Sequence, residues 1–336
     1  MEGILPVGQR NFAVLFQASA AGFNIKRPAA RSALHRTEPI WLPHSCLTLA
    51  MVIWASSFIV LKLAFRSYDP MVVIFGRMAV ASCCFLCLFR SFGKIDYHRG
   101  DWKPILLMTL CEPCLYFFFE ARALTNTSAA QAGMICALLP LLVAVGARIF
   151  LKEAISTRTW AGFLLAITGA VWLSASGRAT AEAPNPPLGN LLEFMAMVCA
   201  TGYIIILKRL TARYSPLLLT AAQALVGSAF FLPMLFLPGT EWPTRFDGYG
   251  ILAIVYLGAF VTMGAYGLYN FGISRIAASQ ASAFVNLIPV FTIILGRLIL
   301  NERIALSQYP AVALIFIGIF LSQEIRRRSP AIPSAV

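Results

Sequence analysis

Pro140-Leu-Leu-Val-Ala-Val-Gly-Ala-Arg148-Ile-Phe-Leu-Lys-Glu153 returns 149 residues later as Pro289-Val-Phe-Thr-Ile-Ile-Leu-Gly-Arg297-Leu-Ile-Leu-Asn-Glu302. Proline, arginine and glutamate keep their spacing without a gap, while the residues between them vary among apolar types. Outward from this stretch, Gln131 recurs as Gln280, Ile155 as Ile304 and Gly169 as Gly318. Lys62 and Pro70 recur as Lys208 and Pro216, with a three-residue length difference falling in the loops. An apolar half repeated in this way is an architecture of membrane carriers.

Composition fixes the solvent. Hydrophobic residues make up 59% of the chain and charged residues 12%, against roughly 45–50% and about 25% in soluble domains. Apolar runs of about 20 residues, each about 30 Å long as a helix, follow one another with short breaks. They fall at residues 46–65, 71–89, 102–119, 127–147 and 159–175 in the first half, and at 189–207, 217–237, 249–271, 277–299 and 304–321 in the second. Unbroken runs of this length exclude the short alternating strands of a barrel. The sequence thus predicts an all-α integral membrane protein, with ten transmembrane helices in two inverted five-helix repeats. Inversion follows from parity, because an odd number of spans makes the second copy enter from the opposite face. The organisation expected is a disordered basic cytoplasmic tail at 1–45, repeats at 46–176 and 189–323 joined by a linker at 177–188, and a second basic tail at 324–336.

Most of the 27 lysines and arginines lie in the N-terminal tail and in the segments around 90–103, 148–158, 208–213 and 326–328. Basic segments stay on the cytoplasmic side, so both termini are predicted inside, in a cell (inner) membrane. This asymmetry and anionic inner-leaflet lipid account for the formal charge of +13, and no nucleic-acid partner is needed. Arg10, the apolar run 12–16 and Ala18-Ser19-Ala20 hint at a cleavable signal, but five apolar residues fall short of the usual 7–15 or so.

Several motifs converge on one family. Trp54-Ala-Ser-Ser-Phe58, Pro70 with Arg77, Ala123-Leu124, Ser128-Ala-Ala-Gln131, Pro140, Glu153 and Gly169 resemble the EamA family of the drug/metabolite transporter superfamily, over about residues 47–323 and in two copies. That resemblance implies a five-plus-five inverted carrier exporting, or less often importing, small metabolites such as amino acids, amines or drugs. One departure is Thr201-Gly202-Tyr203, which stands where the first copy has Ala55-Ser56-Ser57.

Candidate transport residues follow from cost, since a charge at mid-membrane costs about 2.5–3.5 kcal/mol on insertion scales. Arg77 and Glu112 stand out. They sit about 18 and 15 Å from the inner ends of their spans, level enough to form a coupling pair in which substrate shifts a proton on or off Glu112; a purely structural ion pair is the competing reading. Pro113 breaks the helix after Glu112, and Tyr116 and Glu120 fall within about 80° of Glu112 on one face. Glu120 reads equally well as an interfacial residue near Arg122. Gln131 and Gln280 open their spans and serve as caps or ligand contacts. Asn286 lies deeper. Trp54, Tyr203, Tyr266 and Tyr269 offer aromatic faces to an amine or ring. Arg148 with Glu153, and Arg297 with Glu302, sit at span ends, where snorkelling and salt bridging across a tight helix hairpin account for them.

The rival chemistries are weaker. Cys84 with Cys87 and Cys111 with Cys114 could bind a soft metal, but cysteine also serves as a small apolar residue; no metal or cofactor is expected. His35, His44 and His98 all lie outside the spans, and neither a nucleophile motif nor a phosphate loop occurs, which argues against an enzyme and a primary pump. The expected partners are a small-molecule substrate and the bilayer, with a homo-oligomer left open. The reading is a secondary transporter working by alternating access, with proton coupling through Glu112. Import or exchange of a nucleotide-like metabolite is the alternative, and a soft-metal, redox or lipid-handling membrane protein is the alternative of another class.

Overall fold

The computed structural model describes residues 41–88, 97–151, 156–276 and 278–322. Expectations for Glu153 and for most of both tails lie outside those residues. The described residues are almost wholly helical, with a lone bridge between Thr180 and Ala183. Among the described residues, eight helices are long and apolar enough to cross a membrane: α1 (Trp41–Ala64), α2 (Pro70–Cys87), α3 (Trp102–Leu124), α4 (Ala129–Gly146), α6 (Pro186–Leu210), α7 (Pro216–Phe236), α8 (Gly248–Arg275) and α9 (Gln280–Ile299). Between and after them lie α5 (Thr157–Ala175), which opens on the polar Thr157-Arg158-Thr159, and the shorter apolar α10 (Leu306–Ser322). The first helix starts at Trp41 rather than at residue 46, so it takes in part of the segment expected to be tail.

Helix starts are written locally. The Asp69 carboxylate accepts from Met71 N, and the Ser128, Ser156, Asn185 and Ser215 side chains accept from the amides three residues on. Pro70, Pro186 and Pro216 follow their caps directly, at positions where a missing N–H costs nothing.

One helix is broken in mid-span and another is widened there. In α3 a wide turn at Leu110–Leu115 contains Glu112 in an extended conformation (φ −150°, ψ 117°), followed by Pro113. In α8 a wide stretch runs over Leu257–Ala265 without a proline. Such wide turns recur at functional sites.

In lipid, apolar surface gains nothing by leaving water, so the helices hold together by close packing. The first helix α1 lies against α8 and α9, while α6 lies against α3 and α4; α2 packs on α7, and α5 on α10. At the α5–α10 crossing, a Cβ added to Gly162 would stand 2.4 Å from the Gly318 carbonyl oxygen. Backbone there meets backbone. The centre of the bundle buries Phe58, Met78, Phe117, Tyr203 and Tyr269.

One connection differs from expectation. Asn301 adopts a left-handed conformation (φ 55°) that ends α9, and Glu302 N donates to Gly296 O at 3.0 Å. This turn places the Glu302 carboxylate on α4, where it accepts from Ala129 N and Ala130 N at 2.9 Å each. A carboxylate on a helix N-terminus gains from both the free amides and the helix dipole.

Candidate functional site

A central cavity is lined by Trp54 of α1, Arg77 of α2, Glu112, Tyr116 and Glu120 of α3, Cys136 of α4, Tyr203 of α6, and Tyr266 and Tyr269 of α8, with apolar residues between. Only about 40 Å³ of it can take the centre of a water molecule. One water needs roughly 10–15 Å³ of that measure, so the cavity has room for a few waters, and a metabolite enters only if the walls part.

Six of the nine residues singled out from sequence meet here: Trp54, Arg77, Glu112, Tyr116, Glu120 and Tyr203. Their pairing differs from expectation. Arg77 is 1% exposed; its Nη1 lies 3.7 Å from Glu120 Oε2, its Nε donates to Thr262 Oγ1 at 3.1 Å, and the guanidinium sits 4.0 Å over the Phe117 ring. Glu112 is instead bound by the Tyr266 hydroxyl, which donates to its Oε1 at 2.5 Å. The Arg77–Glu112 pair inferred from level is therefore replaced by Arg77–Glu120. Extended backbone at Glu112 takes its side chain off the face that a continuous helix would give it, whereas Tyr116 and Glu120 lie one turn apart, and the Tyr116 hydroxyl donates to Glu120 Oε1 at 3.1 Å. Glu120 is buried at 3% exposure, not interfacial.

The helix break does not leave the Glu112 carbonyl bare. Gln223 Nε2 of α7 donates to it at 3.1 Å, and Gln223 Oε1 accepts from Asn270 Nδ2 at 3.1 Å. Asn270 Oδ1 in turn accepts the Tyr203 hydroxyl at 2.5 Å. This buried amide network supports one side of the cavity. Trp54 packs between Tyr266 and Tyr269, with ring centroids 5.0 and 4.9 Å away.

Four polar atoms of lining residues are buried without a hydrogen-bond partner: Trp54 Nε1, Arg77 Nη1, Glu120 Oε2 and Tyr269 Oη. Leaving such groups unmet costs about 1–3 kcal/mol each, and each such atom calls for an explanation. The set contains donors and an acceptor.

Gln131, Gln280 and Asn286 do not line the cavity. Gln131 Oε1 accepts from Asn190 Nδ2 at 2.9 Å and from Thr127 Oγ1 at 3.3 Å, in a polar cluster near the start of α4. Gln280 is exposed. Asn286 lies beside the lining residues Val285 and Ile288, with both side-chain polar atoms buried and unpartnered. Sequence reasoning missed Thr262, Gln223, Asn270 and Glu193. The last carried the signal plainly, as a lone acid in the apolar run of α6, where the insertion cost that marked Glu112 applies equally.

Both ends of the bundle carry polar contacts. At one, Lys62 Nζ donates to Glu182 O at 2.5 Å, Arg66 pairs with Glu182 at 3.0 Å, and Asp247 accepts from the Ser67 hydroxyl and from Gly250 N. At the other, Asp101 pairs with Arg213 at 3.0 Å and accepts the Tyr214 hydroxyl. Burial pushes the Asp101 carboxyl up, but Tyr214, Arg213 and the His98 amide together hold it below the usual carboxylate value. No group of three or more His, Cys, Asp or Glu side chains able to hold a metal occurs among the described residues.

Comparison with known proteins gives a consistent answer. The pattern of the EamA-like transporter family matches residues 41–175 and 187–323. The uncharacterized transporter YcxC of Bacillus subtilis is 28% identical, over 83% of this chain and 92% of its own. A probable terminal-alkyne amino-acid exporter of Streptantibioticus cattleyicolor is 23% identical, over 79% and 86%. A solved crystal structure shares the fold with a TM-score of 0.60, at 22% identity, over 83% of this chain and 96% of that one.

Proposed function

The chain belongs to the EamA-like transporter family, and on that premise we propose that it is a secondary carrier exporting small metabolites that bear both an ammonium and a carboxylate group, by alternating access. The single observation that carries this reading is the separated pair at the cavity wall. Arg77 Nη1 and Glu120 Oε2 face each other at 3.7 Å, too far for a hydrogen bond, and neither has another hydrogen-bond partner. A zwitterion could enter between them, with its ammonium on Glu120 Oε2 and its carboxylate on Arg77 Nη1 and Trp54 Nε1. The rings of Trp54, Tyr203, Tyr266 and Phe117 would receive its side chain. The relative named as an amino-acid exporter agrees with this class. A nucleotide-like substrate is disfavoured, because Glu112 and Glu120 outnumber Arg77 on the wall.

Crossed packing supports the inverted-repeat reading of ten spans in two halves. The first helix of each half lies on the third and fourth of the other, and second meets second as fifth meets fifth. A pseudo-twofold axis in the membrane plane would give two conformations of similar energy, one open to each side. Orientation with both termini inside rests on the basic segments. Glu112, held by Tyr266 between the aromatic wall and the Gln223 network, is the lining carboxylate proposed to carry coupling protons.

Counterflow in proteoliposomes tests the reading. Vesicles preloaded with amino acids, amines and nucleotides are expected to exchange amino acids with labelled external solute. Exchange confined to nucleotides, or to amines without a carboxylate, would reject the zwitterion class.

A further inference from the structure

Glu193 lies two turns into α6 with no exposed surface. Its Oε1 accepts the Cys136 thiol at 3.3 Å, and its Oε2 is sealed from solvent with no hydrogen-bond partner. A thiol is a weak donor, and a carboxylate held by one thiol in a dry interior lacks the pairing that a buried charge requires. Its neighbours do not supply it. Cys136 faces it from α4, and Glu120 and Tyr116 act on it from α3. Arg77 of α2 stands beyond Glu120, already in its own ion pair. The hydroxyl of Tyr266 on α8 is committed to Glu112, and α5 and α9 bring no charged group beside it.

A metal ion does not fit this place, because among the described residues no three His, Cys, Asp or Glu side chains gather to hold one. Calcium takes six to eight oxygens and magnesium six ligands, whereas Glu193 offers one free oxygen next to a thiol. A proton needs only that oxygen. Cys136 lines the cavity, as do Met197 and Ala200 further along α6, whereas Glu193 does not. The carboxyl thus stands one layer behind the cavity wall, with the thiol in front of it.

We propose that Glu193 is a second proton-binding site of the carrier, separate from Glu112, loaded while α6 is packed on α3 and α4 and emptied when those helices part and water reaches Oε2. On release the O–H bond breaks, the proton goes to water in the opened cavity, and the carboxylate keeps the electron pair. The link to transport rests on the carrier reading above; proton binding itself does not.

Infrared difference spectra of the purified protein, titrated over about pH 5–9, test the site without any transport. Wild type is expected to show a titrating protonated-carboxyl band that is missing from Glu193→Gln. A titration identical in both proteins overturns the proposal. Should Glu193→Gln fail to fold, Cys136→Ala replaces it. Its band is expected at higher frequency, because the carbonyl oxygen loses the thiol, and an unmoved band is equally fatal. In proteoliposomes, Glu193→Gln is expected to lower accumulation driven by a pH gradient about tenfold or more, and undiminished accumulation overturns the coupling role. A wild-type protein that shows the band but exchanges no solute would reject the carrier reading and leave the proton site standing.

Discussion

Both α3 and α8 depart from α-helical geometry in mid-span, and the two departures are made differently. In α3 the break is compact and anchored by Pro113, and it presents Glu112, Tyr116 and Glu120. In α8 the helix stays continuous but widens over nine residues without proline, and it presents Thr262, Tyr266, Tyr269 and Asn270. Residues 41–175 supply the charges of the wall, and residues 186–322 supply most of the hydroxyls and amides that hold them; the exception is the Tyr116 hydroxyl, which donates to Glu120 within α3. Thr262 holds Arg77, Tyr266 holds Glu112, and Asn270 holds Gln223, which in turn holds the Glu112 carbonyl. α3 thus carries the acids of the wall, and α8 carries most of the groups that hold them.

Removing a charge should break this division most severely. Arg77→Ala leaves Glu120 buried without its cation, and the expected loss is about 3–5 kcal/mol of stability, read as a fall in melting temperature in detergent, together with loss of counterflow. The double mutant sharpens the test: Glu120→Gln should restore much of that stability, whereas Glu112→Gln should not. Equal rescue by both would mean that the charges act as one cluster rather than as the pair seen here.

Removing a support should cost less. Tyr266→Phe strips Glu112 of its hydroxyl donor, at an expected 1–3 kcal/mol or so, and should change the pH dependence of exchange; Tyr269→Phe, which removes a buried hydroxyl that bonds nothing, should cost no stability and should raise it by up to about 1–3 kcal/mol. A similar loss from both would show that aromatic packing, not the hydrogen bond, is what α8 contributes. Away from the cavity, Gly162→Ala forces a Cβ against the α10 backbone and should cost about 1–3 kcal/mol without altering the substrate profile.

The smallest effect belongs to the loops. Asp101 is held below its usual value, so its contribution is full above the unfolded carboxylate value of about 3.9 and is lost as pH falls through the lower folded one. Asp101→Asn should therefore lower stability near neutral pH by no more than about 1 kcal/mol and flatten the acid limb of a melting curve recorded against pH.

Among the described residues, eight of the ten expected apolar runs are helices long enough to cross a membrane, and they were legible because they depend on local terms: apolar run length, capping side chains and the position of proline. The break at Glu112-Pro113 was legible for the same reason. The partner of Arg77 was not, because level along a helix fixes height but not direction, and the extended backbone at Glu112 changes direction within one residue. Gln131 and Gln280 repeat in sequence and part in structure, one bound into a buried cluster and the other exposed. Identity between repeats records common origin, whereas burial and partners are set by the neighbouring helices. Glu302 makes the same point, since its contact with α4 depends on a left-handed Asn301 that the hairpin reading did not include.

The contact between Gly162 and Gly318 limits how this chain can vary. Each glycine leaves room for the carbonyl of the other, so a larger residue at either position is accommodated only by a shift of the opposite helix. Substitutions in α5 and α10 therefore cannot be accepted independently. Across related sequences, the two helices should change together along this seam, although one lies near the middle of the chain and the other near its end.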